Sequence, residues 1–554
     1  MAAAPAEPVA VPEAQVVLPE RSCASLAAMD LTAVGGAGSH VLTATLGTEN
    51  GAPACVVEGR LAPSISFKAV LPTQTWTQRY LQVGCGGLCG RVELRAGAAH
   101  GCKPLTDGSF AMASTDMGHQ GQDARFGDDP QKRVDFAYRA VHLTALASKQ
   151  LIETFYGRAP RYAYFNGCSD GGREALMEAQ RYPQDFNGII AGAAALDFQV
   201  QNGIYHPWLA RANTAADGTA IVLASQLPLI HREVLKQCDA LDGATDGLIA
   251  DPLACHLDLT PLACRPGQNA DQCLSAAQLE AVRRFYAGPS DPASGRPLLV
   301  GSVLPGSELN WAGVFVPMAA GQPIFSEKIA LEALRTVLYP HNPTAAFSLA
   351  DLRFDQAGFD LLRPMHGLYD ATNPDLSAFS GAGGKLILWH GWADPHISPM
   401  NTLAYHQALK ATLGDARTKG FERLYLLPGV SHCGGGEGPG AIDLLTPLLA
   451  WVETRQAPGA LLATGASDDA PGFGAPLGPP PGDRPREHGP EVNGPGPEHR
   501  PAGPAPRPGR LPGSGNAAPI TASRLIQPYD ANPSIAPWLG ADFFQNPDRT
   551  TERR

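Results

Sequence analysis

Hydrophobic positions change their spacing repeatedly along the first part of the chain. Residues 41–80 contain short β-rich runs of alternating polarity, which predict opening antiparallel strands. Residues 136–155 instead carry apolar side chains at steps of three and four, the spacing of an amphipathic helix. Short, mainly apolar runs, typical of buried strands, occur at residues 80–83, 110–115, 162–165 and 187–192. Strands alternating with helices in this way predict an α/β fold, a mainly parallel sheet with helices on both faces.

The pattern loosens after about residue 197. Helical segments with Pro- and Gly-rich connectors follow, and strand-like runs resume only at residues 385–389 and 424–427. We therefore interpret residues 197–380 as a lid domain inserted into a core that residues 21–196 and 381–464 form together. A separate accessory domain is the alternative, but the return into a strand favours a lid.

Three further segments lie outside this core. Residues 1–20 are predicted to be disordered, and so are residues 465–519, where Pro and Gly dominate. Residues 520–554 regain aromatic side chains, and we expect them to dock on the core.

Composition and charge narrow the class of protein. The chain has 554 residues, of which 44% are hydrophobic, enough to bury a large core. Its formal net charge of −11 disfavours a nucleic-acid partner, which selects a basic surface. No uninterrupted apolar run reaches the roughly 18–20 residues of a membrane span. We therefore predict a soluble protein that binds neither nucleic acid nor membrane.

The chain contains eleven cysteines, none in a paired CxxC zinc pattern. Candidates for disulfide bonds are Cys238 with Cys255, Cys264 with Cys273, and also Cys23 and Cys55. Such bonds predict an oxidising compartment and hence a secreted or periplasmic protein, although residues 1–20 show no readable signal peptide. Buried free thiols in a cytosolic enzyme are the alternative. The pattern assigns no partner to Cys85, Cys89 or Cys102.

The segment Gly167-x-Ser169-x-Gly171 fits the G-x-S-x-G nucleophile elbow, in which a serine lies on a sharp turn between strand and helix. An apolar strand-like run precedes it, and a run of good helix formers begins after Gly172. The glycines suit a strained turn with a helix passing close behind the strand. The pattern also occurs by chance in glycine-rich chains, and it is the flanking strand and helix that favour the elbow.

An elbow serine needs a base to accept its proton and a carboxylate to orient that base. In chains of this fold the order is serine, acid, histidine, each after a core strand. Asp394 follows the strand-like run at residues 386–389, and His432 follows the run at residues 424–427. We therefore predict Ser169, Asp394 and His432 as the catalytic residues.

Other candidates are placed lower. Asp116 precedes the serine and is interpreted as a structural carboxylate. His119 and His396 compete with His432 but do not follow the last core strand. His390, four residues before Asp394, is predicted to line the substrate pocket.

Two cysteines adjoin the predicted nucleophile and base. Cys168 directly precedes Ser169, and Cys433 directly follows His432. If the hydroxyl and the imidazole are hydrogen-bonded, their neighbours come within disulfide reach. We therefore predict a Cys168–Cys433 bridge that clamps the two loops together.

A tight acidic loop lies within the predicted lid. Asp239, Asp242 and Asp246, with the carbonyl groups of Ala244 and Leu248, offer the hard oxygen ligands that Ca²⁺ prefers. Three carboxylates so close would repel one another without a cation. We predict a structural calcium ion here, with a solvated acidic turn as the alternative.

Cys168-Ser169, Asp394 and His432-Cys433 together resemble the CS-D-HC motif of the tannase and feruloyl esterase family. The resemblance extends over about residues 20–460 and includes residues 115–119, 171–173, 182–183, 239–248, 390–391 and 428–429. It implies an α/β-hydrolase core and a lid that holds a structural calcium ion. It also implies secreted or periplasmic enzymes that cleave esters of hydroxycinnamic or gallic acids, or terephthalate monoesters.

The resemblance further implies that the backbone amides of Asp170 and of the glycine-rich loop at residues 84–90 hold the oxyanion. Gly86 and Gly87 are equal candidates within that loop, and a plain flexible loop is the alternative. The chain departs from the family in the cysteines of this loop, in its long Pro-rich insertion and in its lack of a readable signal peptide.

These observations predict a serine esterase that cleaves feruloyl, galloyl or similar phenolic esters through an acyl-enzyme. Its partner would be a small aromatic ester, free or attached to a plant polymer. One alternative is a terephthalate monoester hydrolase, and another is a non-catalytic calcium-dependent binding protein on a hydrolase scaffold. The lid residues Trp311 and Phe315 are candidates to stack a phenolic ring, although aromatic residues of this kind more often form plain core.

Overall fold

The centre of the molecule is a large β-sheet. The computed structural model describes residues 14–49, 51–465 and 523–545. The strands of these ranges are β1 (His40–Glu49), β2 (Ala52–Leu61), β3 (Ile65–Pro72), β4 (Arg79–Val83), β5 (Phe110–Thr115), β6 (Tyr162–Cys168), β7 (Gly188–Gly192), β8 (Lys385–Gly391), β9 (Glu422–Leu427), β10 (Ala441–Ile442), β11 (Leu461–Thr464) and β12 (Arg524–Ile526). Nine of them form one sheet in the order β1-β2-β3-β5-β4-β6-β7-β8-β9.

The sheet is antiparallel at one edge and parallel elsewhere. Strands β1, β2, β3 and β5 pair antiparallel, and every pair from β5 through β9 is parallel. The register aligns Cys168 of β6 with Gly192 of β7, and Gly192 with Trp389 of β8. The carboxyl ends of the central strands therefore meet at one edge, where the loops that follow them lie side by side.

Helices cover both faces of the sheet. Those described are α1 (Thr32–Gly35), α2 (Lys103–Thr106), α3 (Pro130–Val134), α4 (Ala140–Tyr156), α5 (Asp170–Arg181), α6 (Phe198–Val200), α7 (His206–Ala212), α8 (Leu227–Cys238), α9 (Ala276–Ala287), α10 (Phe325–Thr336), α11 (Gln356–Asp360), α12 (His366–Tyr369), α13 (Ser377–Gly381), α14 (Pro399–Leu413), α15 (Asp415–Phe421) and α16 (Leu445–Thr454). Successive side chains of a strand point to opposite faces. Accordingly Ile189 packs in the larger core and Ile190 in a second core that includes side chains of α16. The predicted α/β class is confirmed.

A long helical insertion separates two neighbouring strands. Strand β7 ends at Gly192 and β8 begins at Lys385, yet the two pair directly in the sheet. The intervening residues contain α6 to α13, and their apolar side chains continue the larger core. The insertion therefore packs onto the carboxyl edge of the sheet and covers the loops there.

The described part of the N-terminal segment is ordered. The amide of Val17 donates to the carbonyl of Trp76 at 2.9 Å, and the amide of Glu20 donates to Phe155 at 2.9 Å. The prediction of disorder is therefore wrong for residues 14–20, because these backbone groups pair with the core. Residues 1–13 lie outside the described residues.

The C-terminal segment returns to the core. Strand β12 pairs with β11 in a small three-stranded antiparallel sheet, and Phe543 and Phe544 are buried in the larger core. Phe543 stacks on His366 of the insertion with ring centroids 4.3 Å apart. The predicted Pro/Gly-rich linker, residues 465–519, lies outside the described residues except for Gly465 at its start.

Five disulfides are present among the described residues. The predicted bonds are confirmed: Cys23–Cys55, Cys168–Cys433, Cys238–Cys255 and Cys264–Cys273. The fifth, Cys85–Cys89, was not predicted because the sequence offered no signal for its pairing. Cys102 is a buried free thiol. No described helix is long and apolar enough to cross a membrane.

Candidate active site

Ser169 lies on the sharp turn between β6 and α5. Its backbone has φ +64° and ψ −122°, a conformation that costs energy for any residue with a Cβ. Its amide donates to the carbonyl of Gly192, and its own carbonyl accepts from Ala195. Neighbouring strands therefore hold this strained turn in place, and the turn presents the Ser169 side chain at the carboxyl edge of the sheet.

Glycines permit the close approach that this turn requires. A Cβ on Gly167 would lie 2.1 Å from the carbonyl oxygen of Gly171, and one on Gly172 would lie 2.5 Å from that of Gly192. Both contacts are with backbone atoms, which cannot move aside. Helix α5 can therefore begin directly behind the serine only with glycine at these positions.

Asp394 follows β8 and is fully buried. Its Oδ1 accepts hydrogen bonds from the amides of His396 and Ile397, and its Oδ2 lies 2.7 Å from Nδ1 of His432. Burial alone would raise the pKa of Asp394. The positive charge of His432 and the hydrogen bonds from His390 and His432 outweigh burial and hold the pKa far below its usual range. Asp394 is therefore a fixed carboxylate that orients the imidazole.

His432 lies in the segment at residues 428–438 that follows β9, here called the base loop. Its neighbour Cys433 is bonded to Cys168, with Cα atoms 5.9 Å apart across a sequence separation of 265 residues. The bridge joins the base loop directly to the residue before Ser169. Ser169 and His432 consequently line the same cavity.

That cavity draws its lining from both parts of the core and from the insertion. Its lining residues are Gly87, Leu88, Ser169, Asp170, Ala195, Phe198, Gln201, Asn202, His206, Phe325, Ile329, His396, Ile397 and His432. Five of the predicted site residues thus belong to one site: Ser169, His432, Asp170 and Gly87 in its lining, and Asp394 behind His432.

Two residues that were predicted to face the substrate, Gly86 and His390, do not line the cavity. Gly86 is absent from the lining, whereas its neighbour Gly87 is present. His390 is fully buried behind Asp394, with Nε2 3.1 Å from Asp394 Oδ2 and Nδ1 2.7 Å from the Thr402 hydroxyl. The prediction that His390 lines the pocket is therefore wrong, because the side chain points back from the strand end toward the carboxylate.

Two backbone amides beside Ser169 have no hydrogen-bond acceptor in the part of the chain that the structure describes. Asp170 is the first residue of α5, so its amide has no acceptor within the helix. Among the described residues, none accepts a hydrogen bond from the amide of Gly87. Both residues line the cavity, and their free donors suit a developing negative charge.

Two further histidines line the cavity without carrying charge. Burial and the neighbouring charge of His432 lower the pKa of His206 to about 3, and they lower the pKa of His396 well below its usual range. The ring of His396 lies 4.9 Å from that of His432. The cavity lining therefore contains one histidine, His432, in contact with a carboxylate and two that remain neutral at physiological pH.

Several of these lining residues escaped sequence reasoning because they lie in the insertion, where no motif marks them. Gln201 and Asn202 lie on a π-helical turn (Gln201–Tyr205) that leads into α7 and His206. Such turns are frequent at functional sites. The available signal was a cluster of polar residues within an otherwise apolar stretch at residues 195–212.

The remaining candidates have structural positions. Oδ1 of Asp116 accepts from the amides of Ser66 and Gly118, and Nε2 of His119 lies 2.7 Å from the carbonyl oxygen of Leu88. Trp311 and Phe315 are fully buried in the larger core and do not line the cavity.

The predicted calcium loop, residues 239–248, folds its carboxylates onto its own backbone. The amides of Ala244, Gly247 and Leu248 donate to Asp242, Asp239 and Asp246 in turn, at 2.9, 3.1 and 3.2 Å. Among the described residues, none donates to the carbonyl oxygens of Ala244 and Leu248.

Arg524 of β12 reaches the same loop. Its Nη2 lies 2.8 Å from Oδ2 of Asp242, and its Nη1 lies 3.3 Å from Oδ2 of Asp246. The guanidinium of Arg524 thus contacts two of the loop's three carboxylates, so its charge leaves two of the three negative charges unbalanced. Carboxylate and carbonyl oxygens are the ligand type that Ca²⁺ prefers.

The insertion is tied to the base loop by an ion pair. Nδ1 of His231 on α8 lies 2.6 Å from buried Glu308, and Nε2 lies 3.0 Å from Glu437 of the base loop. Burial alone would lower the pKa of His231, but the two carboxylates outweigh burial and raise the pKa to about 9. A cationic histidine therefore connects the insertion to the loop that carries His432.

Known proteins with similar sequences belong to one family of esterases. The family model described as tannase and feruloyl esterase matches residues 48–481. An uncharacterized esterase from Xanthomonas campestris pv. campestris is 33% identical over 76% of this chain and 79% of its own length. The mono(2-hydroxyethyl) terephthalate hydrolase of Piscinibacter sakaiensis is 33% identical over 73% of this chain and 77% of its own.

A solved structure agrees with these relatives. The crystal structure of feruloyl esterase B from Aspergillus oryzae superposes with a TM-score of 0.70 at 25% identity. The match covers 80% of this chain and 93% of that one.

The ion pair of His231 predicts a loss of stability at alkaline pH. Because the folded protein raises the pKa of His231 above the unfolded value of about 6.5, the stabilisation is complete below that value. It should disappear as the pH rises toward about 9. We expect His231→Gln to lower the melting temperature at pH 6, and the difference from wild type to shrink by pH 10. Thermal melts across this range measure it.

His341→Gln is the matched control, because His341 is an exposed histidine of the same insertion. Its melting curves should parallel those of wild type at every pH. A His231→Gln difference that stays constant from pH 6 to pH 10 would contradict the assignment.

Proposed function

Because the chain belongs to the tannase and feruloyl esterase family and is a carboxylic ester hydrolase, we propose that it cleaves uncharged phenolic esters through an acyl-enzyme on Ser169. The observation that carries the mechanism is the geometry of one cavity. It joins a strained serine to a histidine whose other ring nitrogen lies 2.7 Å from a buried carboxylate. A purely binding function is not retained, because the relatives are named esterases and hydrolases.

His432 is the general base of this proposal. Its Nε2 accepts the proton from Ser169 Oγ as the oxygen attacks the ester carbonyl carbon. Asp394 keeps the proton on Nδ1 and stabilises the imidazolium ion. The C–O bond to the alcohol then breaks, and His432 returns the proton to the departing oxygen. Water attacks the acyl-enzyme by the same route and releases the acid.

The tetrahedral intermediate carries a negative oxygen that needs fixed donors. The proposal assigns this role to the amides of Asp170 and Gly87. Both line the cavity, and the start of α5 adds the positive end of a helix. Gly87 is preferred to Gly86 because only Gly87 faces the cavity.

The charge of the cavity supports an uncharged acyl group. Among the described lining residues there is no Lys or Arg, and the low pKa values of His206 and His396 keep both histidines neutral. A terephthalate monoester carries a free carboxylate, which would lose its hydration without gaining a cation. A feruloyl or galloyl ester carries no such charge.

Gln201 supports a substrate with a hydroxyl donor. Its side chain is buried in the lining, and Nε2 is engaged with the His396 carbonyl and the His206 ring. Among the described residues, none donates to its Oε1. A buried acceptor without a donor is costly, and a phenolic hydroxyl would satisfy it. The proposal covers such esters both free and attached to a plant polymer.

The proposal also includes a structural calcium ion held by Asp239, Asp242 and Asp246 with the carbonyls of Ala244 and Leu248. Bound there, the ion would balance the loop's two residual negative charges and would take no part in the reaction. Leu248 lies against Gly429 of the base loop. An ordered calcium loop would therefore help to hold the base loop, and with it His432, in place.

The five disulfides support a secreted or periplasmic location. Such bonds persist in oxidising compartments and are rare in the cytosol.

Covalent labelling tests the nucleophile. A fluorophosphonate probe should label wild-type protein at Ser169, and Ser169→Ala should abolish both labelling and turnover. Asp394→Asn should retain the fold and lower kcat by about 10⁴-fold, because the imidazole loses its orienting carboxylate. Mass spectrometry of the labelled peptide and kcat on methyl ferulate are the measurements. Ser25→Ala, at an exposed site, is the control and should react like wild type.

A panel of esters tests the acyl group. We expect kcat/KM for methyl ferulate or methyl gallate to exceed that for mono(2-hydroxyethyl) terephthalate by at least about 10²-fold, since the site offers no cation to a carboxylate. Methyl 3,4-dimethoxycinnamate, which lacks the phenolic donor, should also be poorer than methyl ferulate. Equal kcat/KM for the charged and uncharged esters would contradict the proposal that the cavity selects an uncharged acyl group.

The ester panel includes its own internal control. Gln201→Leu should narrow the gap between methyl ferulate and its dimethoxy analogue, because the acceptor is then gone. The kcat/KM of this variant for mono(2-hydroxyethyl) terephthalate should equal that of wild type, since the site rejects this ester because of its charge.

Chelation tests the calcium ion. Dialysis against EGTA should lower the stability by roughly 2–3 kcal/mol, as expected for loss of a ligand near 100 times its Kd, and Ca²⁺ should restore it. Asp242→Asn should remove the response to EGTA. Asp217→Asn, at an exposed turn of the same insertion, should not. Thermal melts with and without EGTA provide the measurement, and identical melts in wild type would contradict the calcium site.

A further inference from the structure

The loop at residues 84–90, which carries Gly87, is built from residues of high conformational freedom. Four of its seven residues are glycine, and Gly87, Cys89 and Gly90 all have φ between +60° and +83°. Glycine has many accessible conformations, so that a loop of this composition does not hold one geometry by itself. An oxyanion donor, in contrast, is effective only when it is already in place.

A disulfide closes the centre of this loop. Cys85 and Cys89 are bonded, with Cα atoms 5.4 Å apart, and the bond encloses only Gly86, Gly87 and Leu88. The amide of Cys89 also donates to the carbonyl of Gly86 at 3.1 Å. Gly87 and Leu88, the residues of this loop that line the cavity, both lie within the enclosed turn.

A buried carboxyl group supports the bridge from below. Glu174 lies on α5, five residues after the nucleophile, and its Oε1 accepts the amide of Cys85 at 3.3 Å. The same oxygen lies 2.9 Å from Cys85 Sγ and 3.3 Å from Cys89 Sγ. Burial and the charge of Asp170 raise the pKa of Glu174 well above its usual value, which favours the protonated form of this side chain. The bridge thus rests on the helix that follows Ser169.

Other contacts hold the two ends of the loop and Leu88 within it. The amide of Gly84 donates to Asn166, the amide of Gly90 donates to Asp116, and His119 contacts the Leu88 carbonyl. Among the described residues, none accepts from the amides of Gly86 or Gly87. Between the fixed ends, therefore, the bridge, the short turn it closes and the contact of His119 with Leu88 restrict the position of Gly87.

We propose that the Cys85–Cys89 disulfide is a positioning element for catalysis, which holds the Gly87 amide at the place where the oxyanion forms. The inference rests on the proposed function, because it requires Gly87 to be an oxyanion donor. The bridge itself touches no substrate. It acts through the loop it closes. Its loss should therefore reduce the stabilisation of the transition state more than the binding of the ground-state ester.

The test removes the bridge as a pair, by Cys85→Ala with Cys89→Ala, so that no unpaired thiol remains. We expect kcat for methyl ferulate to fall about 10- to 100-fold, somewhat less than the loss seen when an oxyanion donor is deleted outright. KM should change by less than about threefold, because the ground-state ester does not need the donor. Affinity for an arylboronic acid, which forms a tetrahedral adduct on the serine, should weaken in parallel with kcat.

The matched control is Cys264→Ala with Cys273→Ala, which removes another short-range bridge, of separation nine, whose residues do not line the cavity. Its kcat and boronic acid affinity should equal those of wild type, whatever its melting temperature. If the first variant keeps wild-type kcat and boronic acid affinity while folded, the inference is overturned. If wild-type protein hydrolyses none of the esters, the proposed function itself is wrong.

A second measurement applies if the Cys85→Ala, Cys89→Ala variant does not fold. Wild-type protein is treated with increasing dithiothreitol, and each opened bridge is identified by alkylation and mass spectrometry. In protein whose Cys168–Cys433 bond is still closed, turnover should fall in step with the opening of Cys85–Cys89 rather than of Cys264–Cys273. Constant kcat in protein with Cys85–Cys89 open would overturn the proposal.

Discussion

The covalent link between Cys168 and Cys433 is the constraint on which the site depends. It joins two segments 265 residues apart, the residue before the nucleophile and the residue after the base. In a closed loop of that length the unlinked chain would lose on the order of 5 kcal/mol of conformational entropy when the ends meet. Once the two cysteines are bonded, most of this entropy has already been lost, so that it no longer opposes bringing Ser169 and His432 together. The hydroxyl and the imidazole therefore share one cavity even though their hydrogen bond would contribute only about 1 kcal/mol.

The second organising feature is the distribution of charge beneath the cavity. Asp394 is fully buried but receives two backbone amides and contacts two histidines, so its ionised form is stable. Burial is the main cause of the neutrality of His206 and His396, and repulsion from the neighbouring His432 adds to it. One buried carboxylate thus supports one protonatable base. The described lining contains no Lys or Arg, which suits a neutral ester.

The sequence predicted the parts of the site that follow strands, and it failed where tertiary packing decides. Ser169, Asp394 and His432 were identified because each follows a recognisable strand, and a parallel sheet places such ends at one edge. His390 was misplaced because a side chain at a strand end can face the cavity or the carboxylate, and spacing does not distinguish them. Gln201 and Phe325 were missed because they lie in helices of the insertion, whose placement over the cavity depends on contacts between distant segments. The Cys85–Cys89 bond could not be assigned because two glycines and a leucine between cysteines specify no backbone path.

The insertion also does more than cover the cavity. It contacts the base loop at two points, through the His231–Glu437 ion pair and through Leu248 against Gly429. Together with Cys433, these contacts fix the base loop from the nucleophile side and from the insertion side. A loop held from both sides has few alternative positions. His432 therefore loses little conformational entropy when it is positioned next to Ser169 for the reaction. It follows that stability in the insertion and reactivity at the serine are physically coupled, although the insertion contributes neither nucleophile, acid nor base.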